Sequence, residues 1–129
     1  MINAEITYGQ GSFIAKVKGH AGLAPVGQDI VCAGVSALSM ALHKAVTGCV
    51  TREDASYFSV EINDGCFEIR VLGIRDSEAG KRLEAFFAMF FDGLFEIEKE
   101  YPDCLKLNTF EFPFGDNDND TSEQTMKNE

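Results

Sequence analysis

At 129 residues the chain is expected to form one domain, large enough to bury roughly 65–70% of the surface its unfolded form exposes without staples. Its apolar share of 45% is ordinary for a globular protein, and no window is expected to reach the ~18–20 apolar residues of a membrane span. A net charge of −10 argues against general affinity for nucleic acid and suits a partner with basic segments.

Ile2, Ala4, Ile6 and Tyr8 alternate with more polar residues, which is strand periodicity. Gly9-Gln10-Gly11 reads as a turn, and Phe13, Ala15 and Val17 continue the alternation on a second strand, giving a hairpin. That strand runs into Gly19-His20, so the histidine falls at a strand end. From Ala21 to Gly27 the glycines and Pro25 predict a loop. Asp29 is then placed to cap a helix running to about Thr47, with Val31, Val35, Leu38, Leu42 and Val46 as its core stripe. Cys32, Ser36, Ser39 and His43 lie on an adjoining stripe, and Gly48 is a suitable stop.

Phe58, Val60 and Ile62, the turn Asn63-Asp64-Gly65, and Phe67, Ile69 and Val71 predict a second hairpin. Ser77 to Tyr101 carries a second helix, with Leu83, Phe86, Phe87, Phe90, Leu94 and Ile97 at three- and four-residue spacings, and Pro102 ends it. Leu105, Leu107, Phe110 and Phe112 can form a last strand at a sheet edge, where Pro113 is tolerated. The polar, acidic remainder, residues 115–129, is expected to be a disordered tail on a domain of residues 1–114. The fold class that follows is α+β: a two-layer α/β sandwich in ββαββα order. Its sheet is mainly antiparallel, with both helices on one face.

Met1-Ile2-Asn3-Ala4-Glu5 lacks the basic region and apolar core of a secretory leader, so a cytoplasmic location with reduced thiols is expected. Among Cys32, Cys49, Cys66 and Cys104 there is no C-x-x-C, and the chain holds only two histidines, so neither a zinc site nor any other cofactor is expected.

The residues that carry chemistry sit between the first hairpin and the first helix. Counted from an Asp29 cap, Cys32 is the third helical residue, where backbone N–H groups are unpaired and the helix dipole favours a thiolate. An imidazolium nearby lowers thiol pKa values from about 8.5 to about 3.5–7.5, and His20 is one loop away. The competing reading of Cys32 is a small hydrophobe on a helix, and that of His20 a surface residue at a strand end. His43 follows Cys32 by eleven residues, some 16 Å along the helix at the standard rise, too far for a direct partner. Asp29 is either a cap or a third catalytic member that orients His20. Ser36 either hydrogen-bonds toward the site or bonds its own i−4 carbonyl. Cys49, Cys66 and Cys104 read as structural.

The stretch Gly19-His20-Ala21-Gly22, followed by Gly27-Gln28-Asp29-Ile30-Val31-Cys32-Ala33-Gly34-Val35-Ser36-Ala37-Leu38, resembles the signature of the ribosomal-processing cysteine proteases, the Prp family. The resemblance covers the ββαββα body and not the acidic tail. It implies a cytoplasmic cysteine endopeptidase, generally a homodimer, that removes a short N-terminal extension from a large-subunit ribosomal protein. By the same resemblance Cys32 is the nucleophile and His20 the catalytic histidine, with Asp29 and Ser36 at positions that recur beside them. Gly19, Gly22, Leu23, Pro25, Val26 and Gly27 belong to a substrate loop, which is more apolar here than the family pattern.

The expected chemistry is acyl transfer to Cys32, with backbone N–H groups at the helix start as candidates for the oxyanion hole. Neither nucleic acid nor membrane is expected as a direct partner. The alternative reading is a non-catalytic ribosome-associated or small-ligand-binding regulatory module, because fold does not decide function.

Overall fold

Period-two alternation at the start of the chain becomes a pair of strands, β1 (Ile2–Gly9) and β2 (Ser12–Lys18). Ala4 lies opposite Val17 and Ile6 opposite Ala15, so one face of this antiparallel pair is apolar and buried. The computed structural model describes residues 1–19, 26–49, 54–63 and 65–112. The second hairpin is β3 (Tyr57–Asn63) with β4 (Cys66–Leu72), and β4 pairs antiparallel with β2. The last strand, β5 (Leu105–Glu111), joins the edge beside β1 in parallel register, with Ile2 opposite Leu105. The sheet order is therefore β3-β4-β2-β1-β5, mixed but mainly antiparallel.

The helices α1 (Val26–Cys49) and α2 (Glu78–Glu100) share one face of that sheet. Their buried residues Val31, Val35, Leu42, Val46, Leu83, Phe87, Phe90 and Leu94 join the strand residues Ile2, Ala4, Ile6, Phe13, Ala15, Val17, Phe67, Ile69 and Val71 in one cluster. Phe13 stacks on Phe87 with ring centroids 3.7 Å apart, and Phe67 meets Phe90 at 6.4 Å. At roughly 25 cal/mol per Å² of apolar surface removed from water, this layer-to-layer burial is the main stabilising term. The helices cross closely at Gly93, where a Cβ would come within 2.8 Å of the Leu38 side chain.

α2 begins and ends where its sequence signals place it. Ser77 has extended backbone, and its hydroxyl accepts the Gly80 N–H at 3.1 Å, satisfying a donor that the helix itself leaves unpaired. Tyr101 N–H closes the other end on Ile97 O at 2.8 Å. By length and composition α1 is apolar enough over Ile30–Cys49 to cross a membrane, contrary to the expectation from composition. In this fold it instead lays Val31, Val35, Leu42 and Val46 into the core. Two apolar residues that share the core-facing alternation stay outside it: Tyr8 is 45% and Ile62 47% exposed. Both sit at the margin of the sheet, Tyr8 near the end of β1 and Ile62 on the terminal strand.

Candidate active site

β2 ends at Lys18, and the next residue holds the chain to a narrow path. Gly19 has φ 105°, and a Cβ there would come within 2.5 Å of Met1 O. Its N–H donates to Gly65 O at 2.9 Å. A residue with a side chain is strained in that backbone region, so only glycine suits this exit from the sheet. His20 is the next residue in the chain. His20, Gly22, Leu23 and Pro25 lie outside the described residues, so their geometry relative to Cys32 is not part of the structure.

The start of α1 corrects the expectation. The helix begins at Val26, so Asp29 is its fourth residue and not its N-cap, and Val26 and Gly27 belong to the helix and not to the loop. Cys32 is accordingly the seventh helical residue and not the third. Within the helix, the N–H groups that have no carbonyl four residues back to donate to are those of Val26, Gly27 and Gln28. Asp29 is about 4.5 Å up the axis from Cys32, and helical side chains lean toward the N-terminus. The thiol is thus one turn below the open donors and not among them, and the dipole, which falls off within the first turn, acts on it more weakly than a capped start implies. Pro25 is the signal for the earlier start, since proline is favoured at the beginning of a helix. The Asp29 pattern outweighed it because a capping residue with an apolar stripe behind it is the commoner cue.

Asp29, Cys32 and Ser36 recur at i, i+3 and i+7, which sets them on one stripe of α1. Cys32 is half-buried and packs against the core, while Ser36 is exposed. Ser39, two turns below Cys32, is buried, and its hydroxyl has no hydrogen-bond partner among the described residues. His43 is occupied locally, with Nδ1 3.2 Å from Thr47 Oγ1. All four thiols are free; Cys104 is buried, Cys49 Sγ lies 3.9 Å from Ala79 O, and Cys66 is half-buried on β4.

A cavity of about 430 Å³ opens at the other end of the sheet, around the β1–β2 turn, with Tyr8, Gly11, Phe13, Glu84, Phe87 and Phe91 among its lining. Neither Gly19 nor Cys32 lines it. Cys32 and this cavity are therefore separate features.

Comparison with known proteins gives one consistent result. The family described as Cysteine protease Prp matches residues 1–106. A Staphylococcus aureus protein named ribosomal processing cysteine protease Prp is 33% identical over 111 residues, covering 84% of this chain and 98% of that one. A Bacillus subtilis protein of the same name is 30% identical over 118 residues, covering 84% of this chain and 97% of that one. The crystal structure of the S. aureus ribosomal processing protease Prp in complex with a substrate peptide is similar at a TM-score of 0.67 and 25% identity, covering 84% of this chain and 99% of that one. The same protease with a covalently linked product peptide gives a TM-score of 0.66 at 29% identity, with the same coverage.

Proposed function

This chain belongs to the Prp family of cysteine proteases, and we propose that it is the endopeptidase that removes the N-terminal extension of a large-subunit ribosomal protein. The observation that carries the proposal is Cys32 itself. It is half-buried on the helix that follows the glycine-held exit of β2, about one turn below the three open backbone donors of the helix start. The family match supplies the reaction class, and the relative held with a covalently linked product peptide supports a covalent route.

The proposed mechanism uses Cys32 and His20 as a dyad. The Cys32 sulfur attacks the scissile carbonyl carbon, and its proton passes to His20. The C–N bond breaks as His20 delivers that proton to the leaving amine, leaving a thioester on Cys32. Water, deprotonated by His20, then attacks the thioester and releases the carboxylate and the thiol. The open N–H groups of Val26 to Gln28 lie at the end of α1 nearest the site, and one oxyanion-hole donor is worth about 2.7–4 kcal/mol in comparable sites. Asp29 and Ser36 support the site from the same stripe. The residues between Gly19 and the start of α1 at Val26 act as the substrate loop, closing over the extension to complete the site.

We place the enzyme in the cytoplasm as a homodimer. The exposed side of α1 supports the dimer, because Ile30 is 57% and Met40 42% exposed on a helix with few charges. A basic substrate suits a chain of net charge −10.

Thiol alkylation at neutral pH with mass mapping tests the nucleophile. Cys32, Cys49 and Cys66 are all half-buried, so exposure alone predicts similar labelling of the three. An activated nucleophile labels at Cys32 first. Incubation with the extended ribosomal protein tests the reaction, and an uncut substrate with unselective labelling defeats the reading.

A further inference from the structure

The two edges of the sheet are built differently. β5 buries Leu105, exposes Lys106, and is tied in from both sides: Leu107 N–H donates to the Glu98 carboxylate at 2.9 Å, and Phe112 N–H to Tyr8 O at 2.8 Å. Among the described residues β3 has none of these devices. Among the described residues it pairs with β4 alone. None of its seven residues is fully buried, and it contains no Lys, Arg, Pro or Gly. Tyr57 is 49% and Ile62 47% exposed on it. Natural edge strands are commonly blunted by lysine, proline or a covering element, because an open edge is a template for another strand.

Among the described residues, Glu61 is the charge on that edge with no cation set against it, whereas Glu68 beside it faces Lys16 across the β2–β4 ladder. Glu61 lies directly opposite Glu68 in the β3–β4 register. Arg70 already holds the Glu68 carboxylate at 2.8 Å, and no ion pair among the described residues reaches Glu61. Like charges facing each other across a ladder are destabilising, and a basic side chain on a further strand would relieve them.

We propose that the outer edge of β3 receives an extended, basic segment of the protein substrate as a sixth strand, with a Lys or Arg set against Glu61. This rests on reading the chain as a processing protease of a ribosomal protein. Proteins that bind RNA do so largely through Lys and Arg on its phosphates, so such a substrate supplies the required chemistry. Main-chain hydrogen bonds hold the segment along the edge, and Tyr57 and Ile62 offer apolar contacts on its two faces. The Asn63 end of β3 lies beside Gly65, whose carbonyl accepts the Gly19 N–H. A strand on β3 thus runs toward the end of the sheet from which the chain passes through His20 into α1. A second copy of this chain is the poorer occupant, because it brings another Glu61 to the same edge of a chain of net charge −10.

The test uses the full chain carrying Cys32→Ser, so that substrate is not turned over, and the N-terminally extended ribosomal protein as probe. Amide exchange over residues 57–63 should slow when the probe binds. Glu61→Lys should raise the dissociation constant by up to about fivefold, and Glu61→Gln by about half that. Glu84→Lys, an equal charge change on the exposed side of α2, should have a smaller effect than Glu61→Lys. Unchanged exchange in β3 on binding, or equal effects of the Glu61 and Glu84 changes, overturns the proposal. Protection of β3 that grows with protein concentration alone assigns the edge to a second copy and also overturns it. Cleavage by the wild-type protein, measured in parallel, separates the two readings. A substrate cut without β3 protection defeats the docking alone, whereas β3 protection with no cleavage defeats the protease reading and leaves the docking standing.

Discussion

α1 and α2 are nearly equal in length, 24 and 23 residues, and are held by different physics. α2 carries nine charged residues, a serine cap, Glu78 in its first turn and Lys99 in its last. Its start is supported locally by the cap and by Glu78, and its end is closed by the Tyr101 N–H, while Glu98 and Glu100 offset Lys99 in the last turn. α1 carries two charged residues, Asp29 and Lys44, and no basic residue in its last turn. What holds it is burial of Val31, Val35, Leu42 and Val46 against the sheet and α2. α2 therefore serves as framework. On α1, Cys32 packs at the margin of the core and Ser36 is exposed, and neither occupies a capping position.

The sharpest break of this contrast is Cys32→Ala. Turnover should fall by on the order of 10⁴-fold or more while the melting curve stays close to wild type, because in the proposed mechanism the thiol forms the covalent bond and alanine is a good helix former. Retained turnover in the purified variant ends the proposed mechanism. His20→Ala should slow alkylation of Cys32 at neutral pH, and equal alkylation rates in the two proteins exclude the dyad.

On the framework side, Phe90→Ala should cost about 3–5 kcal/mol by denaturant titration, since the ring is almost fully buried against Phe67. Gly19→Ala should cost about 1–3 kcal/mol and also lower activity, as it strains the backbone immediately before His20. A stability loss with unchanged turnover would show that the exit of β2 does not position the site.

Caps separate the helices at smaller scale. Ser77→Ala should lose about 0.5–2 kcal/mol, whereas Asp29→Asn should be close to neutral in stability because Asp29 is not at the cap position. Loss of turnover in Asp29→Asn then reports a charge role. Ser39→Ala is the mildest change: removing a buried hydroxyl with no partner should leave stability within about 1 kcal/mol of wild type, or raise it. A larger loss would mean that Ser39 has a partner in solution.

The sheet and α2 were legible because their signals are local. Alternation placed Ile2, Ala4, Ile6, Phe13, Ala15 and Val17 on one face, and all six are buried. Ser77, Tyr101 and Pro102 bounded α2 to within a residue. The start of α1 was not legible in the same way, because Asp29 satisfies the pattern of a cap without occupying the position of one.

By itself the sequence determined which side of β1, β2 and β4 is apolar, where α2 runs, and which residues carry the family signature around Cys32. These depend on period, propensity and motif, all of them properties of neighbours along the chain. Tertiary structure alone decided the rest. It set β5 parallel to β1 at one edge, left β3 paired with β4 alone among the described residues at the other, and put the cavity and Cys32 in different places. The physical reason is that a repeat of two or 3.6 tells a segment which face to bury but not which partner will bury it. Ile62 shows this directly: its alternation matches that of Ile69, yet it is exposed because its strand is the last in the sheet.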